Sequence, residues 1–339
     1  MGNTGSISQM RPQIWQRQTL IDAIEELFFK QNGMMSANRV APAPIFLKPD
    51  FKTKKGKKVT IPLVIKPSGE GTDGDDEQEG NEEELTTYYQ DVEVNQKRNA
   101  IRLVGEMDEQ TNALNMREIA KEALATWQSE IMCKEIFRKG GGIVAYTFSN
   151  TPVAPSSTRV IYGGNATADT DIDSADKIDL ALLFKVSNTI MTLTPKIRPI
   201  RYKGKDYYLM LIHPNQRYDL MQDDSYLTLQ KDAGMRGLSN PLFSGADAVV
   251  DNLIIHAHNY VPTFSTWGST SDQPGARALV MGAQAIIMAL GKEGKWIEKS
   301  FDYDNKWAIC TGAIWGVQKA IFNSVDHAIV AVDTYATSL

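Results

Sequence analysis

Apolar residues recur at helical spacing through residues 110–139, a stretch that contains no glycine or proline. The apolar positions are Met116, Ile119, Ala120, Ala123, Leu124, Trp127, Ile131 and Ile136. A continuous helix of this length would be about 45 Å long, well beyond the average helix of a globular protein. Arg138 and Lys139 would lie in its last turn, where the helix dipole favours cations, and Gly140 would end it. The pattern predicts one long helix that supports other elements.

The pattern changes to a period of two from residue 57, where every second residue is apolar: Val59, Ile61, Leu63 and Ile65. This alternation predicts a β-strand, and Pro62 favours a sheet edge because proline cannot donate a ladder hydrogen bond. A second extended run covers residues 85–94 and continues towards residue 104, while residues 68–84 contain no apolar side chain. Residues 50–104 are therefore predicted to form a long hairpin with a glycine-rich, acidic tip.

The predicted hairpin carries opposite charges at its two ends. Its base includes the lysines Lys54, Lys55, Lys57 and Lys58. Its tip includes the acidic residues Asp73, Asp75, Asp76, Glu79, Glu82, Glu83 and Glu84. An isolated hairpin is marginal in water, and ordering ten residues near the tip would cost roughly 10–20 kcal/mol of backbone entropy. We interpret these charged residues as inter-subunit contacts that match the tip of one copy to the base of another; a solvated acidic loop is the alternative.

The rest of the chain mixes shorter helices and strands. Helices are predicted at residues 12–30, 174–192 and 216–222, and residues 223–248 are predicted to be loop. Strands are predicted at residues 207–214, at 252–262 and in several segments after residue 300. Residues 276–290 suit a helix or a strand followed by a helix, and stay unassigned. The predicted class is α+β.

Composition limits the classes of function. The chain has 339 residues, of which 42% are hydrophobic and 23% charged, as in soluble globular proteins. Its net charge of −5 argues against an extensive basic surface for nucleic acid or membrane. Two cysteines, Cys133 and Cys310, suit a reducing compartment. No secretory signal and no apolar stretch of membrane-spanning length is visible, so a cytosolic site of synthesis is expected.

Residue patterns for catalysis are weak. His256 and His258 share one face of a predicted strand, but no spacing indicates a third metal ligand. Asp302 and Asp304 share a predicted strand face, where solvent exposure is the simpler interpretation. The triple glycine follows a helix, so it does not fit a phosphate-binding loop. No catalytic, cofactor or metal residues are predicted; a metal-dependent hydrolase using His256, His258 and Asp302 is a remote alternative.

Four stretches in order resemble the major capsid proteins of tailed double-stranded DNA phages, in the group with a Gly-Asn-Glu-Glu tip on the extended loop. They are KKVTIPL at 57–63 leading to EGNEE at 79–83; PIR at 199–201 with YYLMLIHP at 207–214; ARALVMGAQA at 276–285; and FDYD at 301–304 through GVQK at 316–319. Together these stretches span nearly the whole chain. The tip departs from the family in being more acidic.

The resemblance implies the Hong Kong-type capsid fold. Its expected parts are an N-terminal arm (1–49), an extended loop (50–106), a peripheral domain with the long spine helix (107–200 and 295–339) and an axial domain (201–294). It implies a non-enzymatic protein that forms hexamers and pentamers of an icosahedral shell around packaged DNA; an encapsulin-like shell around cargo protein is the alternative.

The same resemblance implies partners and a location. Portal, scaffold and decoration proteins are expected, together with weak, non-specific contact to DNA, assembly in the host cytoplasm and a final place in the virion. Because one sequence must fit both five-fold and six-fold rings, flexibility is expected at Gly140, Gly141 and Gly142 and at the hairpin base. No cofactor is expected.

Overall fold

The computed structural model describes most of the chain between residues 23 and 338. The described residues are 23–24, 26–38, 42–48, 56–64, 72–74, 79, 82, 87–111, 116–233, 246–291 and 296–338. The predicted helix at 12–30 therefore falls largely outside them. Within them, six α-helices occur: α1 (Phe28–Gln31), α2 (Glu106–Thr111), α3 (Met116–Gly140), α4 (Leu180–Thr192), α5 (Pro214–Leu220) and α6 (Asp224–Ala233).

The described strands form two large mixed sheets and two small pairs. In the first half of the chain they are β1 (Met35–Ser36), β2 (Ile45–Lys48), β3 (Lys58–Val64), β4 (Thr87–Glu93), β5 (Asn95–Arg102), β6 (Val160–Tyr162), β7 (Ile200–Tyr202) and β8 (Lys205–Ile212). In the second half they are β9 (Ala248–Val250), β10 (Leu253–Ala257), β11 (Thr263–Trp267), β12 (Gln273–Met281), β13 (Ile286–Leu290), β14 (Ile297–Phe301), β15 (Lys306–Lys319), β16 (Ile321–Phe322), β17 (Val325–Asp326) and β18 (Ile329–Tyr335). The predicted α+β class is confirmed.

The six-stranded sheet is built around the 14-residue strand β15. Its main order is β1-β2-β13-β15-β14, and β5 also pairs with β15. The eight-stranded sheet has the order β6-β18-β12-β8-β10-β9, with β11 on β12 and β7 on β8. Strands β12 and β13 explain the ambiguity of residues 276–290: both are buried on both faces, so they read as a continuous apolar run rather than an alternating one.

The sheets do not follow the domain boundaries expected at residues 200 and 294. Strand β13, from the expected axial segment, lies beside β15 in the six-stranded sheet. Strand β18, from the expected peripheral segment, pairs with β12 in the eight-stranded sheet. One apolar core connects these elements, because residues of both sheets and of α3 and α4 belong to the same buried cluster. The division into peripheral and axial domains stays a prediction.

Helix α3 is the long spine that the hydrophobic spacing predicted. Its 25 residues span about 37 Å at 1.5 Å per residue. It packs against β15 and β5, and its buried side chains include Leu124, Ile136 and Phe137. Burying each such side chain contributes about 1.5–3 kcal/mol. The described helix begins at Met116 rather than at residue 110, which belongs to the separate helix α2; residues 112–115 lie outside the described residues.

Two shorter helices differ from the sequence expectations. Helix α4 begins at Leu180, because the Asp179 carboxylate caps it by accepting a hydrogen bond of 2.7 Å from the Leu182 amide. The predicted start near residue 174 is a turn, in which the Asp176 carboxylate accepts the Asp173 amide. Helix α6 lies in a segment predicted to be loop; Tyr226 is the one large apolar side chain it buries among the residues whose burial is described.

Candidate inter-subunit surfaces

Strands β3 and β4 form the predicted hairpin. They pair antiparallel from Lys58 opposite Glu93 to Val64 opposite Thr87. The hairpin is shorter at its base than predicted, because β5 turns away and pairs with β15, from Asn95 opposite Trp315 to Arg102 opposite Ala308. A two-stranded ribbon leaves many backbone groups to water, whereas the sheet gives β5 stable partners. The extension of the hairpin to residue 104 was therefore wrong.

The inner part of the hairpin is anchored by apolar contacts with its own chain. Val59 and Val92 are buried in a small cluster with Ile287 and Ala320 from the body. Further out on the same face of β4, Gln90 and Tyr88 are half-buried, while Tyr89 on the opposite face is 75% exposed. Leu63 lines a groove together with Phe46 and Phe322 of the body, so the described hairpin lies against its own chain and is most deeply buried at its base.

Two amide side chains attach the hairpin base to the body. Gln90 donates to the carbonyl of Lys319 at 2.8 Å and accepts from the amide of Ile321 at 3.0 Å. Asn150 accepts from the Glu93 amide at 2.8 Å and donates to the Glu93 carbonyl at 3.0 Å. Its amide also donates to the Val317 carbonyl at 3.1 Å, and its own carbonyl accepts from Lys139 of the spine helix. Asn150 therefore joins the hairpin base, the central strand and the spine helix.

Replacing Asn150 with alanine is expected to loosen the hairpin base. The change removes side-chain hydrogen bonds worth about 0.5–1.5 kcal/mol each and leaves partly buried groups of Glu93 without that partner. Hydrogen exchange of the Glu93 and Val94 amides should accelerate by about ten- to a hundredfold, as a local opening would cost less free energy. The control is Asn188→Ala on the exposed face of α4. Equal exchange rates in both variants would contradict a linking role for Asn150.

Only some of the hairpin residues predicted to contact another subunit lie in the described part of the chain. At the base, Lys57 and Lys58 both contact Glu93, at 3.4 and 3.0 Å, and the hydrogen bond from Lys58, together with both charges, lowers the pKa of the Glu93 carboxyl below its ordinary value. At the tip, Asp73, Glu79 and Glu82 are exposed. The remaining members of the set, Lys54, Lys55, Asp75, Asp76, Glu83 and Glu84, lie outside the described residues. The matching of tip to base in neighbouring copies stays a prediction.

The three glycines at the end of the spine helix, of which Gly140 is its last residue, are buried and closely packed. A Cβ on Gly141 would lie 2.6 Å from Cγ of Pro262, and Gly142 has a φ of +68°, where a side chain is strained. Arg277 donates to the Gly141 carbonyl at 3.2 Å. Close packing and backbone conformation therefore account for glycine here, and a hinge at Gly140, Gly141 and Gly142 stays a prediction.

A buried ion pair fixes the junction between the spine helix and the eight-stranded sheet. Arg277 and Asp333 stand opposite each other on β12 and β18 and form two hydrogen bonds, of 2.7 and 2.6 Å. Burial raises the pKa of Asp333 above its ordinary value, and the Arg277 guanidinium opposes that rise. Sequence analysis did not identify this pair. The one indication of a buried ion pair in the sequence was a single charged residue in each of two otherwise apolar strands.

A second buried pair closes the end of the central strand. The Lys319 ammonium lies 2.7 Å from the Asp326 carboxylate, and both side chains are about 1% exposed. Lys319 also donates to the Ala154 carbonyl, and Asp326 accepts the Ser156 amide. Burial lowers the pKa of Lys319, and Asp326 partly offsets this effect. The pair fixes the segment before β6 against the C-terminal part of the chain.

A buried carboxyl lies between the spine helix and β15. Glu135 accepts a hydrogen bond from the Trp315 indole at 3.1 Å. Burial raises the pKa of Glu135 to about 7, while the charges of Lys139 and Lys97 oppose the rise. Burial also lowers the pKa of Lys139. The carboxyl therefore titrates near neutral pH inside the interface that holds the spine helix on its sheet.

The remote hydrolase alternative has no support in the geometry. His258 stacks on Phe137 with ring centroids 4.8 Å apart, and burial lowers its pKa to about 4. His256 is buried and contacts Phe28 edge-on. Asp302 and Asp304 lie in the exposed turn before β15 with positive φ, so they do not share a strand face as predicted. In the described part of the chain, no group of three His, Cys, Asp or Glu side chains is placed to hold a metal ion.

Known proteins resemble the chain over nearly its full length. A family model described as "Phage capsid protein" matches residues 3–338. The major capsid protein of Pseudomonas phage KPP25 is 31% identical over 304 residues, which cover 81% of this chain and 80% of that protein. The capsid of Ralstonia phage GP4 has a TM-score of 0.84 at 26% identity and covers 93% of this chain and 92% of its own. The Cyanophage Pam1 capsid subunit has a TM-score of 0.76 at 20% identity, with 91% and 92% covered.

The spine helix, the two mixed sheets and the β3–β4 hairpin, together with these matches, define a structural protein of the capsid class. The chain belongs to the phage capsid protein family and is a phage major capsid protein, with its place in the virion capsid. The resemblance and the fold expected from the four sequence stretches are confirmed, and the encapsulin-like alternative is not favoured. None of the helices described is long and apolar enough to cross a membrane.

Proposed function

We propose that copies of this chain assemble into hexamers and pentamers of an icosahedral shell that encloses packaged double-stranded DNA. The chain acts by binding other copies rather than by catalysis. Head-to-tail contacts close into rings when the rotation between copies permits it. In each ring, the hairpin reaches from one copy onto the next.

The observation that carries this proposal is the division of the hairpin. On the face of β4 that packs against the same chain, Val92 at the base is fully buried, whereas Gln90 and Tyr88 further out are only half-buried. Beyond the paired strands, residues 68–84 contain no apolar side chain, so this tip gains little from contact with its own chain. The surface of a second copy would bury those side chains and offset the entropy of ordering the tip.

Several further contacts belong to this proposal. The N-terminal arm ties each copy to others, and variation between five-fold and six-fold rings is taken up at the hairpin base and near Gly140, Gly141 and Gly142. Portal, scaffold and decoration proteins are the expected partners during assembly in the host cytoplasm. Packaged DNA makes only weak, non-specific contact, because an acidic protein with a net charge of −5 repels phosphate overall.

The assembly state of the expressed full-length chain tests the proposal. Sedimentation and negative-stain microscopy should show closed shells with five-fold and six-fold clusters. The amides of the hairpin tip, beyond the anchored base, should be protected from hydrogen exchange in shells but not in dilute single chains. A chain that stays monomeric at high concentration, with a hairpin already fully protected, would contradict the proposal.

The acidic tip gives a charge-reversal test. Replacing Glu82, Glu83 and Glu84 together with lysine should block shell assembly and leave the fold of the monomer intact, because the tip would then repel a basic partner surface. Shell yield is measured by sedimentation, and folding by circular dichroism. The corresponding triple glutamine variant removes the charge without reversing it and should lose less assembly. Normal shells from the lysine variant would show that tip electrostatics are irrelevant.

A further inference from the structure

Three aromatic rings surround the side chain of His258 where the spine helix meets helix α1. Phe137 of α3 stacks on the imidazole with ring centroids 4.8 Å apart, while the rings of Phe28 and Tyr260 lie 4.6 and 5.0 Å from it. These four side chains are here called the aromatic anchor. Phe29, the next residue of α1, packs on Phe137 at 5.2 Å. The aromatic anchor therefore holds α1, which belongs to the expected N-terminal arm, against the spine helix.

The hydrogen bonds of His258 select one neutral form of its ring. Its Nδ1 accepts the Tyr260 amide at 3.1 Å, so the ring proton lies on Nε2, which is 3.9 Å from the Cys133 sulfur. The His258 amide donates to the Ile212 carbonyl at 2.9 Å, which fixes the backbone that carries the ring. A second ring proton would have to occupy Nδ1, where it would face the hydrogen of the Tyr260 amide. Protonation therefore breaks this hydrogen bond.

The surroundings of the His258 ring also disfavour a positive charge. The Lys134 ammonium lies 4.8 Å from the centre of the Tyr260 ring and brings a like charge close, although Lys134 also pairs with Glu130 at 3.4 Å. Burial raises the pKa of the Cys133 thiol to about 12, so this neighbour stays neutral and supplies no counter-charge. The aromatic faces attract a cation but do not accept the conventional hydrogen bonds that two ring N–H groups require. Burial lowers the pKa of His258 to about 4.

From this arrangement we infer that the aromatic anchor is a pH-sensitive attachment, which holds α1 on the spine helix while His258 is neutral and loosens when His258 is protonated. The change takes place within one chain, so it goes beyond the proposed function and does not depend on it. The pKa of His258 is about 4 in the closed anchor, against an ordinary 6.5 once the anchor has opened. The closed state is therefore fully favoured above pH 6.5 and loses stability as the pH falls towards 4.

Two other titratable side chains lie near the aromatic anchor. His256 contacts Phe28 edge-on, with ring centroids 6.1 Å apart. Glu135 lies on the same helix as Phe137, but its carboxyl accepts the Trp315 indole of β15, and burial raises its pKa to about 7. Protonation of Glu135 stabilises the folded chain, whereas protonation of the aromatic anchor weakens it. The direction of the change therefore separates Glu135, and substitutions of the His258 side chain separate His256.

Hydrogen exchange of α1 at different pH values tests this attachment in the unassembled full-length chain. The amides of Lys30, Gln31 and Met34 donate to carbonyls of this segment. Their protection factors, corrected for the intrinsic exchange rate at each pH, should fall by about ten- to thirtyfold from pH 7 to pH 5. His258→Asn keeps an oxygen that accepts the Tyr260 amide, and His258→Phe keeps an aromatic ring. Because neither replacement titrates, both variants should lose the pH response.

The matched control is His213→Asn. His213 also accepts the amide two residues ahead, that of Asn215 at 3.2 Å, and burial also lowers its pKa, but it caps α5. This variant should keep the wild-type pH response at α1. A response that survives in both His258 variants would assign it to another group, such as His256, and overturn the inference. Wild-type protection that stays constant from pH 7 to pH 5, or an equal loss in the central strands, would overturn it as well.

Discussion

Replacing Arg277 with methionine is expected to lower the free energy of unfolding by about 3–5 kcal/mol, the usual cost of leaving one member of a buried ion pair alone. Asp333 is fully buried, and Arg277 donates hydrogen bonds of 2.7 and 2.6 Å to its two carboxylate oxygens. Without the guanidinium, burial would hold that carboxyl in its protonated form, and the Gly141 carbonyl would lose a donor. Urea unfolding of the unassembled chain measures the loss.

The matched control is Arg201→Met on the exposed strand β7. Arg201 also pairs with a carboxylate across two strands, at 3.1 Å from Asp206, but its side chain is 76% exposed. Surface pairs contribute at most about 1 kcal/mol, so this variant should unfold almost as the wild type does. Similar losses in the two variants would mean that the Arg277 pair contributes little beyond an ordinary surface contact. If only Arg277→Met lowers the free energy of unfolding, the effect is due to the burial of the ion pair.

The long helix and the hairpin were predictable because their patterns extend over many residues. The spine helix ends at Gly140, one residue beyond the predicted end, since the glycine and the two preceding cations are local signals. Its beginning was not predictable, because residues 106–111 form a separate helix and no glycine or proline separates the two helices in the sequence. The strand pairing of residues 95–102 with β15 depends on partners more than 200 positions away, which no local pattern reports.

The side chains that hold the hairpin were not predictable for a similar reason. Gln90 and Asn150 are common polar residues in polar surroundings, and their partners lie 57 to 231 residues away. Arg277 was different, because an arginine inside the apolar stretch ARALVM required a buried partner. The sequence shows opposite charges at the two ends of the hairpin, but it does not indicate that Lys57 and Lys58 pair with Glu93 of the same hairpin.

The Glu135 carboxyl is expected to make the stability of the unassembled chain depend on pH between about 4.5 and 7. Its pKa is about 7 in the folded chain, against an ordinary value of 4.5. Across this window the folded state binds more protons than the unfolded state, so its stability falls as pH rises. The stabilising contribution is complete below pH 4.5 and is lost through pH 7. At about 1.4 kcal/mol for each pH unit, the loss reaches about 3 kcal/mol.

Glu135→Gln should remove this dependence while keeping an oxygen that accepts the Trp315 hydrogen bond. Compared with wild type, the variant should be up to about 3 kcal/mol more stable at pH 8 and nearly equal at pH 4.5. The nearby Lys139 limits the gain, because a neutral glutamine no longer supports its buried charge. Glu130→Gln, on the exposed face of the same helix, provides the control and should follow the wild-type profile. Thermal unfolding at closely spaced pH values measures the difference, and parallel profiles for Glu135→Gln and wild type would show that Glu135 is not the titrating group. Titration of Glu135 would make the packing of the spine helix on β15 depend on pH near neutrality. Because Asn150 connects the hairpin base to this helix, the position of the hairpin base would then depend on pH as well.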